Sequence, residues 1–454
     1  MERDLTKGNI TKTMLLFAVP MILGDMLQQF YNVADTWVVG QFLGADALAA
    51  VGSSYTLMTF LTSVLLGLCM GSGTVCSIFY GAGEKEKMKQ GIFVSFVLIA
   101  VVAVVMNVLV MVLLDQIILW LDVPIEVQGL MAEYLRIIFL GIFFQFLYNY
   151  FAFLLRAIGN SVVPLVFLAI SAVMNVVLDL VFVAVFHWGV GGAAFATSLS
   201  QAVSGVGLML FTFWREKELR ISRKHMFFTK EMIREIAQNS ILTCLQQSVM
   251  NFGILLVQGV INGFGAVVMA GYAVAVKIDS FAYMPLQDFG NAFSIFIAQN
   301  YGAKKLDRIQ GGIHSAAKVA MLFAVVISVA IFLLARPLVQ LFIDPGEMDI
   351  VAVGVQYLRV EGSFYVGIGC LFLLYGFYRA VKQPGMSLVL TIISLGTRVV
   401  LAHVLSPMPQ FGTLGIWAAI PIGWFLADAV GLVYYFRRAR GYLTQLMEKK
   451  GSEI

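Results

Sequence analysis

Residues 91–114 read GIFVSFVLIAVVAVVMNVLVMVLL, an apolar stretch in which Ser95 and Asn107 are the polar residues. A helix needs about 20 such residues to cross the hydrocarbon core of a bilayer. The stretch does not alternate between polar and apolar residues as a strand of a membrane β-barrel would. It is therefore predicted to be a transmembrane helix, in which the backbone satisfies its own hydrogen bonds.

The composition extends this prediction to the whole chain. Of its 454 residues, 60% are hydrophobic and only 12% are charged, and the mean hydropathy is +0.89. A soluble globular protein has about 25% charged residues, so this chain could not cover a water-facing surface of its size. The composition excludes a soluble enzyme, a nucleic-acid-binding domain and a disordered chain. The net charge of +4 gives no reason to expect a nucleic-acid partner.

Twelve apolar stretches, numbered here as spans 1 to 12, follow one another along the chain. They lie near residues 13–39, 47–80, 91–114, 131–155, 162–186, 191–214, 236–261, 267–299, 313–335, 351–378, 385–406 and 413–436. We therefore expect an all-α integral membrane protein with twelve transmembrane helices, embedded in the lipid bilayer.

The positions of lysine and arginine predict the orientation. Most of these residues lie before span 1, in every second loop after it and behind span 12. Because cytoplasmic loops are enriched in them, both termini are expected to be cytoplasmic in a multi-pass protein of the cell (inner or plasma) membrane. The longest polar segment, residues 214–238, is interpreted as a cytoplasmic connector. It joins two predicted lobes of six spans each, residues 1–220 and 221–454.

The two halves of the sequence repeat each other. Tyr80-Gly81-Ala82 recurs as Tyr301-Gly302-Ala303 at an offset of 221, and Tyr134-Leu135-Arg136 recurs as Tyr357-Leu358-Arg359 at an offset of 223. Each half contains an even number of spans, so both copies have the same orientation. We expect two six-helix lobes related by a pseudo-two-fold axis along the membrane normal, which is a frequent plan among transporters.

Span 1 carries a polar face. Gln28, Tyr31, Asn32 and Asp35 are spaced at i, i+3, i+4 and i+7, which places them on one side of a helix. An ionisable residue inside a span is costly unless it is paired or hydrated, and it indicates a functional site. We expect Tyr31 and Asp35 to belong to a cation-coupling site, and Gln28 and Asn32 to a substrate cavity.

Spans 5 and 6 add polar groups at a similar depth. Asn175 and Asp179 are four residues apart on one face of span 5, and Thr197 follows on span 6. With a rise of about 1.5 Å per residue, these groups reach the depth of Asp35. Their oxygens suit Na⁺, with Asp35, Asn175 and Asp179 as ligands, and the carboxylate pair could instead hold a proton. The alternative is structural: the acids cap or bridge helices, while Asn175 and Thr197 bond neighbouring helices.

The second half lacks this set of residues. At the offset of 223, Asn175 corresponds to Arg398 and Asp179 corresponds to Ala402. Arg398 is predicted either to pair with a buried acid or to contact substrate, and Lys277 is the other basic candidate for the substrate cavity. No GxxxxGK[ST] or HExxH motif occurs, and the four cysteines form no metal-binding pattern. We therefore expect neither an enzyme nor a cofactor.

Several stretches resemble the multidrug and toxic compound extrusion (MATE) transporters along nearly the whole chain. They are Pro20, the run from Gln29 to Thr36 (QFYNVADT), Gly40 to Gly52, Tyr80 to Gly83 and Arg156 to Gly159. The resemblance implies two six-helix lobes around a central cleft. It also implies export of amphipathic or cationic organic compounds by alternating access, in exchange for H⁺ or Na⁺.

The pattern Asn175-x-x-x-Asp179 resembles the DinF-like branch of that family. This resemblance implies a cation site formed by Asp35, Asn175, Asp179 and Thr197, with Tyr31 and Asn149 beside it. We expect a monomer that transports small molecules. The alternative is a flippase for a lipid-linked or amphipathic lipid, which predicts a basic cavity with Lys277 and Arg398 as ligands of a phosphate group.

Overall fold

The structure is a computed structural model that describes residues 4–120, 123–441 and 443. Within this part of the chain every regular element is helical. The α-helices are α1 Ile10–Leu43, α2 Ala45–Gly81, α3 Lys85–Trp120, α4 Ile125–Ala157, α5 Val162–Asp179, α6 Gly189–Arg215, α7 Lys230–Asn262, α8 Ala266–Gly302, α9 Leu306–Val339, α10 Met348–Gly362, α11 Tyr365–Ala380, α12 Pro384–Leu405 and α13 Thr413–Tyr434. Two π-helical segments, Leu180–Val185 and Tyr435–Ala439, extend α5 and α13.

The helices confirm the prediction of an all-α membrane protein. Eleven helices of the described chain are long and apolar enough to cross a bilayer. The pair α10 and α11 is bent by 53° at a short break and provides a twelfth span. The sequence predicted this region as one stretch, residues 351–378, and the break falls at Ser363 and Phe364, where the α-helix is interrupted by a turn.

The helix α3 shows how the sequence separates lipid-facing from buried positions. Val105, Val108 and Val112 are more than half exposed, at 51%, 55% and 71%, although all three are apolar. Ala103 and Val110 on the opposite side of the same helix are buried. Exposed apolar side chains of this kind are well solvated by lipid tails. The face of α3 formed by Val105, Val108 and Val112 is therefore the one that contacts the bilayer.

The described chain divides into two compact units by its internal contacts. The first unit contains residues 23–244, and the second contains residues 5–22 together with the chain from residue 245 onwards. Both α1 and α7 therefore contribute their first part to one unit and their remainder to the other. These units describe which residues pack together, whereas the lobes predicted from the sequence are sets of consecutive spans.

Within the first unit, α4 and α6 pack at very close range. A Cβ atom added to Gly205 of α6 would lie 2.4 Å from the backbone oxygen of Phe144 on α4. A Cβ atom added to Gly141 of α4 would lie 2.6 Å from Oγ of Ser198 on α6. Small residues allow helix backbones to approach in this way inside a membrane. The contact fixes the position of α6, which carries Thr197.

We expect Gly205→Ala to destabilise the folded protein. The added methyl group has no room beside the Phe144 carbonyl, and overpacking of this kind costs about 1–3 kcal/mol. Gly129→Ala is the matched control, because a Cβ atom at this helical glycine of α4 meets nothing within 4 Å. Thermal unfolding in detergent should show a lower Tm for Gly205→Ala and an unchanged or higher Tm for Gly129→Ala. Equal Tm values for both variants would contradict the packing argument.

Candidate cation-coupling site

The first part of the site is a buried stripe on α5. Leu168, Ser171, Asn175 and Asp179 are buried and recur every three or four residues, so they share one face of the helix. Asp179 is the last residue of α5 and stands directly before the π-helical segment Leu180–Val185. Segments of this kind occur often at functional sites because the wider turn changes the direction of the side chains.

The helix α6 supplies the groups that meet this stripe. Nδ2 of Asn175 donates a hydrogen bond to Oγ1 of Thr197 over 3.3 Å. One turn earlier on α5, Oγ of Ser171 donates to the backbone oxygen of Ser200 over 3.0 Å. These two bonds hold α5 and α6 in a fixed register. They bring together Asn175 and Thr197, two of the residues that the sequence predicted for the cation site.

Asp35 of α1 and Asp179 of α5 form the charged centre of the site. Their carboxyl groups lie within hydrogen-bonding reach of each other. Asp179 is fully buried. Oδ1 of Asp35 and both carboxyl oxygens of Asp179 accept no hydrogen bond from a donor of the described chain. Two ionised carboxylates at this range repel each other, so a proton or a cation between them would stabilise the pair.

Two tyrosines stand beside the carboxyl pair. Tyr31, predicted from the polar face of span 1, interacts electrostatically with Asp35 and Asp179. Tyr134 of α4 is buried and interacts with the same two acids. Tyr134 belongs to the repeated motif Tyr134-Leu135-Arg136 and was not predicted to be part of the site. Its recurrence as Tyr357 in the second half is the sequence signal that could have identified it.

The free oxygen atoms define what the site can hold. Oδ1 of Asn175 is buried without a hydrogen-bond donor, as are the carboxyl oxygens of Asp179. Carboxylate, amide and hydroxyl oxygens are ligands for hard cations, and a carboxyl pair alone is sufficient for a proton. Among the described residues, no group of three His, Cys, Asp or Glu side chains is arranged to hold a metal ion. The buried oxygen atoms of Asn175 and Asp179 that lack a donor are thus the atoms with which a ligand of this site could interact.

The remaining candidates of the first half have ordinary local contacts. Nδ2 of Asn149 donates to the backbone oxygen of Gln145 on its own helix over 2.9 Å. Gln28 lies on the same helix as Tyr31, three residues before it, and interacts with it. Asn32 is half-buried, and its backbone oxygen accepts a bond from Thr36. The assignment of Asn149 to the cation site and of Gln28 and Asn32 to substrate contact stays a prediction.

The second unit contains a different charged cluster. Asp279 of α8 accepts a hydrogen bond from the Tyr365 hydroxyl group and interacts electrostatically with Glu361 and Arg398. Arg398 of α12 also interacts electrostatically with Tyr272. Whether Arg398 pairs with a buried acid or contacts substrate stays a prediction. Lys277, the other basic candidate, is exposed.

A family model and several curated proteins match this chain over most of its length. The MatE family model matches residues 20–181 and 241–404. The "Probable multidrug resistance protein YpnP" of Bacillus subtilis is 31% identical over 435 residues, which cover 95% of this chain and 96% of that protein. The "Multidrug export protein MepA" of Staphylococcus haemolyticus is 26% identical over 421 residues, which cover 91% of each chain.

The fold is also found among solved structures. A multidrug resistance MATE family transporter of the MOP superfamily, solved in an outward-facing conformation, superposes with a TM-score of 0.91 at 23% identity. The superposition covers 97% of this chain and 98% of the other. Together with the twelve apolar spans, the family match over both halves shows that the chain belongs to the MatE family of multidrug and toxic compound extrusion transporters and is not an enzyme.

Proposed function

We propose that this protein exports amphipathic or cationic organic compounds across the cell membrane by secondary antiport, driven by the entry of H⁺ or Na⁺. The observation that carries the proposal is the contact between Asp35 and Asp179, two carboxyl groups on different helices within hydrogen-bonding reach. The names of the relatives support multidrug compounds as substrates. The pattern of Asn175 and Asp179 supports a place in the DinF-like branch.

A proton is the coupling ion that this pair of acids favours. Two carboxyl groups can form a hydrogen bond with each other only when one of them is protonated, because an ionised carboxylate is only an acceptor. Na⁺ is the alternative, and it would need further oxygen ligands. Oδ1 of Asn175, one turn before Asp179 on α5, and Oγ1 of Thr197, which accepts a hydrogen bond from Asn175, are the candidates. Binding of Na⁺ would therefore use the hydroxyl oxygen of Thr197 as a ligand, whereas binding of a proton would not.

The ion would act by removing the repulsion within the pair. With both carboxylates ionised, α1 and α5 are pushed apart and water is held between them. A bound proton or Na⁺ lets the two helices approach, so the two conformations differ in ion affinity, as any ion-driven change requires. One charge moving through 100 mV supplies about 2.3 kcal/mol, which is roughly a 50-fold bias between two states.

The flippase alternative finds no comparable support. It required Lys277 and Arg398 to form a basic cavity for phosphate. Arg398 instead lies beside Asp279 and Glu361, which compensate its charge. We further propose that the protein works as a monomer without a cofactor and that both termini are cytoplasmic. The distribution of lysine and arginine supports this orientation.

Asp35→Asn and Asp179→Asn should each abolish ion-driven export. Either change removes a titratable carboxylate and keeps the shape of the side chain. Only one acid then remains, so no ion is needed to offset repulsion between two negative charges. Uptake of a cationic dye into inverted vesicles, whose lumen corresponds to the outside of the cell, under an imposed proton or Na⁺ gradient measures the effect. Because removing a buried charge relieves a desolvation cost, the variants should remain folded and inserted.

The matched control for these variants is Asp115→Asn. Asp115 is an exposed acid that forms a surface ion pair with Arg136, and such pairs contribute little to stability. This control should export at the wild-type rate. Gradient-driven export at the wild-type rate by Asp35→Asn or by Asp179→Asn would contradict the assignment of the coupling site.

Thr197→Val distinguishes the two coupling ions. Valine has nearly the same shape as threonine and lacks the hydroxyl oxygen that would bind Na⁺. If protons drive export, as the carboxyl contact favours, the variant should export within about twofold of the wild type, since the loss of one neutral hydrogen bond has a modest effect. Export should be measured in vesicles with a proton gradient alone and with a Na⁺ gradient alone. A different result would identify Na⁺ as the coupling ion: the wild type would export only with a Na⁺ gradient, and Thr197→Val would lose that export.

A further inference from the structure

A groove in the second unit lies between the start of α12 and the end of α13. Its volume is about 400 Å³, within the range of about 300–1,000 Å³ that is typical of ligand sites. It is lined by Met386 of α12 and, on α13 and the π-helical segment that extends it, by Ala429, Val430, Val433, Tyr434, Arg437 and Arg438. None of these seven residues is acidic, and only the two arginines are charged.

The lining residues of α13 follow one face of the helix. Residues 429 and 430, 433 and 434, and 437 and 438 recur at intervals of four, so each pair lies about one turn beyond the last. Along this face the side chains change from apolar to aromatic to basic. From residue 430 to residue 438 the helix rises by roughly 12 Å. The groove therefore has an apolar end and a basic end.

The apolar end of the groove is open to the surface of the protein. Val430 is 40% exposed and Val433 is 52% exposed, and both belong to a helix that is long and apolar enough to cross a bilayer. Exposed apolar side chains of a spanning helix contact lipid tails in a membrane. A groove at this place fits a hydrocarbon chain and is unsuited to a ligand that is polar throughout.

The basic end of the groove carries two unpaired charges. Arg437 and Arg438 are exposed, and neither forms an ion pair with a residue of the described chain. A guanidinium group recognises phosphate through paired, charge-assisted hydrogen bonds, and basic pockets between transmembrane helices bind anionic lipid headgroups. Tyr434 stands between the valines and the arginines, as tyrosines do at the boundary between hydrocarbon and headgroups.

Contacts with α11 hold this part of α13 in place. The Tyr378 hydroxyl group donates a hydrogen bond to the backbone oxygen of Gly431 over 2.6 Å. The ring of Tyr435 packs edge-on against the ring of Phe377, with 5.3 Å between their centres. Because the backbone is fixed on both sides of Tyr434, the groove is a preorganised surface, and preorganisation reduces the cost of binding.

We propose that this groove, named here the Arg437 groove, binds one anionic phospholipid. The acyl chain lies along Met386, Val430 and Val433, and the phosphate group binds Arg437 and Arg438. The inference goes beyond the proposed function, because the lipid is a resident ligand of the second unit and is neither the exported compound nor the coupling ion. The two arginines select the charge of this ligand, and the order of side chains along the groove selects an amphipathic molecule.

Native mass spectrometry of the full-length protein in detergent tests the proposal, because it resolves each bound lipid. Phosphatidylglycerol and phosphatidylcholine with identical acyl chains are the two probes. The wild type should bind the first phosphatidylglycerol molecule about 30-fold more tightly than phosphatidylcholine, the value expected for two basic residues that face an anionic lipid. The double variant Arg437→Gln, Arg438→Gln should lose this preference and keep its affinity for phosphatidylcholine.

The matched control is the double variant Lys230→Gln, Arg234→Gln, which also removes two positive charges. Both residues are exposed, stand one turn apart on α7 and do not line the groove. This control should keep the preference for phosphatidylglycerol.

Val430→Phe tests the apolar end of the groove separately. It should weaken binding of phosphatidylglycerol although both arginines remain, because the larger side chain fills the space of the acyl chain. A general attraction of anionic lipid to a basic protein surface would be unaffected by Val430→Phe and reduced equally by the two double variants. That result would overturn the proposal.

Three other occupants of the groove predict different spectra, and each would also overturn the proposal. If residues 444–454 of this chain fill the groove, the wild type should bind the two lipids equally. If a second copy of the chain covers it, the spectrum should show a dimer without bound lipid. If the groove holds only a phosphate group, soluble glycerol phosphate should displace phosphatidylglycerol at an equal concentration. None of these measurements uses an ion gradient or an exported compound, so their outcome is independent of the proposed antiport.

Discussion

Two carboxyl groups on different helices, those of Asp35 and Asp179, lie close enough to share a hydrogen, and the surrounding structure is arranged to keep them there. Ionised acids would separate at this distance. Asp179 cannot turn away, because it is fully buried at the end of α5. The position of α1 relative to α5 within the first unit is therefore linked to whether the pair holds an ion, and the proposed coupling follows from this link.

The neighbouring helices supply the rigidity that such a pair requires. The bond between Asn175 and Thr197 fixes α5 against α6, and the close approach at Gly205 fixes α6 against α4. Tyr134 of α4 then stands beside the two acids. In the second unit its repeat partner, Tyr357, interacts electrostatically with Asp279 and Glu361. There Arg398 supplies a fixed positive charge, so that cluster can be held together without an exchangeable ion.

The sequence predicted most of the fold because lipid imposes a simple rule on it. Long apolar stretches had to be helices, and the predicted number of spans is confirmed once α10 and α11 count as one. The spacing of Asn175 and Asp179 predicted that they share a face. The π-helical segment after Asp179 and the break at Ser363 and Phe364 were not predicted, because both depend on packing against other helices.

The central claim is that the carboxyl pair exchanges an ion for substrate, and ion release on substrate binding tests it most directly. Purified protein in weakly buffered detergent is mixed with a cationic dye. Protons are followed with a pH indicator and Na⁺ by equilibrium dialysis. Because linkage is reciprocal, an ion that weakens substrate binding must itself be displaced by substrate. The account predicts release from the wild type and none from the double variant Asp35→Asn, Asp179→Asn. Dye binding to the wild type without release of either ion, across the pH range in which the protein is folded, would contradict it.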